Sequence, residues 1–169
     1  KPVWNITEHI TILGGEMKIS GVGSNYTGEM NNITPEGEGQ IWNSGGNITV
    51  GSSGVINGTG LGFQEELGPC GSDDGGCHAS EGDDDWSLTD QYIYGNASAP
   101  TSLGSGGGVY GIGGSAIKLQ ANTIEVDGSV IMDGFCSGLC SRSGAGGSIW
   151  LEAAAIQGSA GSDPRGLAA

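Results

Sequence analysis

The chain has 169 residues, 36 of them glycine, and carries five Lys and Arg against 19 Asp and Glu, for a formal charge of −14. Glycine at about three times its usual ~7%, with Leu, Ile, Val and Phe at only 33 positions, excludes a large helical core, and the length allows one domain. A chain this acidic is repelled by nucleic acid and anionic lipid, and no apolar run approaches the ~20 residues of a membrane span, so neither nucleic-acid binding nor membrane insertion is expected.

In chain order, Val3-x-Asn5-Ile6 is strand-like, and Ile10-x-Ile12 followed by Met17 opens a pattern that recurs. It returns 38 residues later as Ile48-x-Val50 followed by Val55, and 76 residues after that as Ile124-x-Val126 followed by Ile131. Ile41 matches Ile117 at the same 76-residue offset, and Gly114 to Ala121 matches Gly147 to Ala153, so a fourth repeat runs from Ile149 through Ile156. Asn57-Gly58 and Asp133-Gly134 close the second and third repeats.

Every repeat is written in period 2, with short β-branched strands between Gly, Ser, Asn or Asp. Segments too short to bury a face alone gain a core only by stacking. The expectation is an all-β chain: a right-handed parallel β-helix, or solenoid, of about four coils. It forms a single module over residues 1–169, with excursions at about 23–40, 61–111 and 135–146. The middle excursion is expected to lie outside the stack as a loop cap. A β-sandwich also shows short alternating strands, but it has no reason to repeat inward residues at fixed offsets. Lys1 without Met, and the end in Leu167-Ala168-Ala169, read as a piece of something longer.

Six of the nine asparagines lie in Asn-x-Ser/Thr: Asn5, Asn25, Asn32, Asn47, Asn57 and Asn96. That is an N-glycosylation pattern, although Asn and Thr are also common at corners and strands. Asn25, Asn32 and Asn96 fall in excursions. Asn47 precedes an inward Ile48 and so points outward, whereas Asn57 shares the parity of Val55 and is the least accessible. Glycosylation implies secretion to the outside or surface of a eukaryotic cell.

Cys70, Cys77, Cys136 and Cys140 form an even set, two in each of two excursions, which fits disulfides in an oxidising compartment. The sequence leaves their pairing open. Zinc held by Cys70, Cys77 and His78 is the alternative, without the usual Cys-x-x-Cys spacing.

Seven acids lie between Cys70 and Asp90. Among them Asp73, Asp74, Asp83, Asp84 and Asp85 are the candidates for Ca²⁺. A solvated acidic loop is the commoner origin of such a run, and neither EF-hand nor nonapeptide spacing is present, so no cofactor is expected. Asp127 and Asp133 are the candidates for glycoside chemistry, and each precedes a Gly where Asp serves a turn. His9 and His78 read as isolated surface and loop residues, so no catalytic residue is assigned and no enzyme is expected.

The string from Tyr94-Gly95 through Gly104-Ser105-Gly106-Gly107-Gly108 and Gly113-Gly114-Ser115-Ala116-Ile117 to Gly146-Gly147-Ser148-Ile149-Trp150-Leu151-x-Ala153 resembles the glycine-rich repeat of very large extracellular proteins of protists and algae. The resemblance covers roughly residues 92–158 and implies a parallel β-helix in a secreted or surface-attached protein.

The leading expectation is a glycosylated structural module of a coat, wall or filament, whose partner is another copy of itself, head to tail. The alternatives are a carbohydrate-binding or carbohydrate-active β-helix, with polysaccharide on outward-facing Trp42 and Trp150, and a calcium-dependent adhesin.

Overall fold

The computed structural model describes residues 2–21, 37–69, 75–79, 93–138 and 142–159. Its strands are β1 (Val3–Ile6), β2 (Ile10–Lys18), β3 (Gln40–Ser44), β4 (Asn47–Asn57), β5 (Gly111–Ile112), β6 (Ala116–Val126), β7 (Ser129–Ile131), β8 (Phe135–Cys136) and β9 (Ser148–Gln157). Among the described residues there is no helix. Seven strands form one sheet, curled into a half-barrel, and every pairing within it is parallel. A two-stranded antiparallel ribbon of β5 and β8 lies beside it.

Strands from successive sequence repeats are neighbours, in four rows: β1 with β2, β3 with β4, β6 with β7, and then β9. Identical side chains therefore stack. Ile10, Ile48, Ile124 and Ile156 form one column in register, and Trp4, Trp42, Leu119 and Leu151 form another. Side chains alternate faces along a strand, so each column is wholly inward or wholly outward. Ile48, Ile124 and Leu119 are fully buried in the main core with Val50, Ile56 and Ile117.

Two details depart from the sequence alignment. Opposite Ile12 to Gly14, β4 carries one residue more than β2, with Gly51 and Ser52 facing Leu13, so Met17 pairs with Ile56 rather than Val55, and Ile56 in turn meets Val130 rather than Ile131. Ile56 lies an even number of residues from the buried Val50 and shares its inward face, whereas Val55 does not and is only half-buried; the shift brings Met17, an odd number of residues from Ile12, onto that inward column. In β3, Gln40 pairs with Ile117 and Ile41 with Lys118. Ile41 is thus outward, and Trp42 is 6% exposed in the core.

The middle excursion is not a detached cap. Its described parts pack on the sheet through a second core of Phe63, Leu103 and Ala116, with Leu67 against it. Ser102 through Gly108 are seven consecutive buried residues, in a segment with almost no side chain to bury. Their backbone groups bond to several neighbours: Gly106 N–H to Leu67 O (2.9 Å), Gly104 N–H to Gly114 O (2.9 Å), Phe63 N–H to Gly104 O (3.2 Å) and Ala145 N–H to Ser105 O (2.9 Å). A Cβ on Gly106 would lie 1.9 Å from Gln64 O, and one on Gly113 would lie 1.8 Å from Gly104 O. Backbone packs directly on backbone here, which only glycine permits.

Candidate functional site

The glycosylation pattern places side chains on three different parts of the surface. Asn5 is exposed on β1, and its Oδ1 accepts a hydrogen bond from Asn43 Nδ2 on the next row (2.9 Å). Asn47 is exposed at the start of β4, where its backbone N–H donates to His9 Nδ1 (2.9 Å). Asn96 is exposed in a loop, and its Oδ1 takes the Ser98 N–H (2.9 Å) in an Asx turn.

Asn57 differs. It is half-buried, its Oδ1 accepts from Thr59 N–H (2.8 Å), and its Nδ2 donates to Glu16 Oε1 (2.6 Å). Both arms of its amide are engaged. Asn25 and Asn32 lie outside the described residues.

Cys77 and Cys136 are each disulfide-bonded, and there is no free cysteine among the described residues. A disulfide sulfur cannot serve as a zinc thiolate, which removes Cys77 from the zinc alternative. Cys70 and Cys140 lie outside the described residues, as do Asp73, Asp74, Asp83, Asp84 and Asp85.

His78 is not isolated. Its ring lies against Tyr94 with centroids 4.9 Å apart, and its Nδ1 is 3.0 Å from Gly146 O. The Tyr94 hydroxyl donates to Leu103 O and accepts from Ser105 Oγ (3.0 Å), so this cluster pins the glycine layer.

Asp127 has a partner 32 residues along the chain, just after β9. Ser159 donates to its Oδ1 from both backbone N–H (2.8 Å) and hydroxyl (2.9 Å). These two bonds, the backbone one first, hold its carboxyl below the ordinary 3.8. A lowered carboxylate pKa adds stability that is present above the ordinary value and lost as pH falls through the lowered one. Ser159→Ala removes the smaller of the two bonds, so a carboxyl-carbon NMR titration is expected to find Asp127 moved part of the way back towards 3.8.

The two tryptophans expected to form an outward row do not do so. Trp42 turns inward, and its ring N–H donates to Gln40 Oε1 (3.2 Å). Trp150 is outward, but Lys118 Nζ sits 3.7 Å over its ring while also pairing with Glu152 Oε2 at 2.6 Å. A cation over an aromatic face and a half-exposed ion pair together are worth about 1 kcal/mol. Lys118→Ala is expected to lower the unfolding free energy by ~1 kcal/mol and to red-shift tryptophan emission as the ring becomes wet.

Of two further surface features, the open ends follow from the head-to-tail expectation and a groove had no sequence reading. A polar groove of about 440 Å³ crosses three rows and includes Asn5, Thr7, Asn43, Gln120 and Asn122. Asn5 and Asn43 share the 38-residue offset of the isoleucines, a signal available in the sequence.

The other feature is at the two end rows, where the inward columns run out into solvent. At the first row Trp4 is 58% exposed, Met17 42% and Ile6 37%, and at the last row Ile156 is 52% exposed. No protein family, curated protein or solved structure matches the chain.

Proposed function

We propose that the chain is a glycosylated extracellular structural module, whose curled sheet belongs to a right-handed parallel β-helix of about four coils and assembles head to tail in a coat, wall or filament. The observation that carries this is the pair of apolar column ends. Strands β1 and β2 at one end and β9 at the other have one unpaired edge each within the sheet, and the side chains beside those edges include the exposed Trp4, Met17 and Ile156. Open strand edges next to exposed apolar side chains template further pairing. Two different ends meeting make a heterologous contact, which propagates as an open fibre.

The flanks support the same reading. Glycans on Asn5, Asn47 and Asn96 and the −14 charge keep the sides soluble and discourage lateral association. The disulfide-bonded state of Cys77 and Cys136 fits an oxidising compartment outside the cytosol. The resemblance to glycine-rich repeats of large extracellular proteins of protists and algae points to the same setting.

Sedimentation velocity on the protein secreted from eukaryotic cells is the test. Association that grows with concentration and has no upper size is expected, and Trp4→Asp with Ile156→Asp is expected to leave monomers. A native protein that stays monomeric at every concentration contradicts the assembly. Glycopeptide mass spectrometry on the same sample is expected to find sugar on Asn5, Asn47 and Asn96 and none on Asn57.

A further inference from the structure

We propose that the groove beside Asn5 is the seat of the first sugar of the glycan carried on Asn5 itself; this rests on the reading of Asn5 as glycosylated. The sequon lines its own groove, since Asn5, Ile6 and Thr7 form one side of it, and Asn43, Gln120 and Asn122 from the next two rows are also part of its lining.

The Asn5 amide is already oriented. Asn43 Nδ2 holds its Oδ1 at 2.9 Å, and Asn5 Nδ2, the atom that bonds to the sugar, has no protein partner among the described residues. Attaching a sugar there leaves the Asn43 bond intact. At Asn57 the same attachment would compete with the bond from Nδ2 to Glu16.

The lining matches an N-acetylated hexose. A sugar of this kind offers hydroxyls and an acetamide for hydrogen bonds, and C–H faces and a methyl for apolar contact. The groove answers with the Gln120 and Asn122 amides and the Thr7 hydroxyl on the polar side, and with Ile6, 37% exposed, and Ala121 on the apolar side. Asn122 is rigidly placed, because its Nδ2 donates to Gly45 O at 3.0 Å and its N–H to Gly46 O at 2.9 Å. The sugar bridges three rows and so braces the first row against the second and third.

The test is a double-mutant cycle on the secreted glycoprotein after endoglycosidase trimming to one sugar per site. Thr7→Ala abolishes the sequon while keeping Asn5 and its bond to Asn43, and Gln120→Ala removes a groove amide. With the sugar present, Gln120→Ala is expected to lower Tm by about 2–4 °C; in the Thr7→Ala background it is expected to change Tm by less than ~1 °C. Contacts between the acetyl methyl and the Ile6 or Ala121 methyls are expected in nuclear Overhauser spectra. If Asn5 is found unmodified by glycopeptide mass spectrometry, the glycosylation reading at this residue fails and the inference with it. If Asn5 is modified but the two substitutions are additive and the methyl contacts are absent, the sugar is free in solvent and the inference alone is overturned.

Discussion

Gly106→Ala is expected to destabilise the domain by ~3–4 kcal/mol, an unusually large effect for adding one methyl group. The added Cβ would sit 1.9 Å from Gln64 O, and that obstacle is backbone, so no side-chain rotation relieves it. The buried segment 102–108 must move. Moving it disturbs the bonds from Gly106 N–H to Leu67 O, from Glu66 N–H to Gly107 O and from Gly104 N–H to Gly114 O. These three bonds, with Ala145 N–H to Ser105 O as a fourth, at about 1 kcal/mol each give the estimate. Gly15→Ala is the control, because Gly15 has φ +82° and nothing within 4 Å of a Cβ, leaving only the left-handed strain of ~1–2 kcal/mol. Urea denaturation of both variants checks the ranking. Equal losses would mean that the close backbone packing carries no special weight.

Ile124→Ala is expected to cost ~3–4 kcal/mol, in the usual range for deleting a large buried aliphatic chain. Ile124 is fully buried and lies between Ile48 and Ile156 in the inward column. Its loss leaves a cavity shared by three rows, and the sheet cannot collapse on it without breaking the register of β6 against both neighbours. Ile156→Ala occupies the same column but is expected to cost less than ~1 kcal/mol, because Ile156 is 52% exposed at the last row. Both should be measured by urea denaturation at dilutions where the protein is monomeric. At higher concentration the Ile156 variant is expected to show its larger effect, as weakened association.

The isoleucine column was legible in the sequence because a parallel stack with regular rows repeats the same residue at the same offset, and Ile10, Ile48 and Ile124 keep it. The bulge after Ile12 was not legible. One residue more in β4 than in β2 moves the offset between them from 38 to 39 while each strand's own pattern looks regular, so Met17 aligns in the sequence with Val55 although it pairs with Ile56.

Trp42 was misplaced for the same kind of reason. Ile41 looks like the better inward residue until its partner is seen to be Lys118. The glycine layer was hidden for a different reason: patterns are read from side chains, and residues 102–108 pack mainly with backbone. Glycine did register in the sequence, as one of the residues between strands, and its larger role is to let extended segments approach each other directly.

At the candidate site, the sequons themselves could be read, and so could the outward direction of Asn47. The low accessibility of Asn57 could be read from its parity as well, but its bond to Glu16, 41 residues away, could not, because no local motif carries that. The Asn5 and Asn43 pair keeps the 38-residue offset, but Gln120 joins the row 77 residues after Asn43, off the 76-residue repeat, and is seen only once the strands are in register.

Electron microscopy of the secreted, glycosylated protein tests the head-to-tail assembly most directly. Four rows along the stack at ~4.8 Å per strand give an axial rise of ~19 Å per copy. Unbranched fibres with a ~4.8 Å axial periodicity that disappear in the Trp4→Asp, Ile156→Asp variant are the expected result. A field of single particles with no end-to-end contacts, at concentrations where the protein is intact and glycosylated, would contradict it.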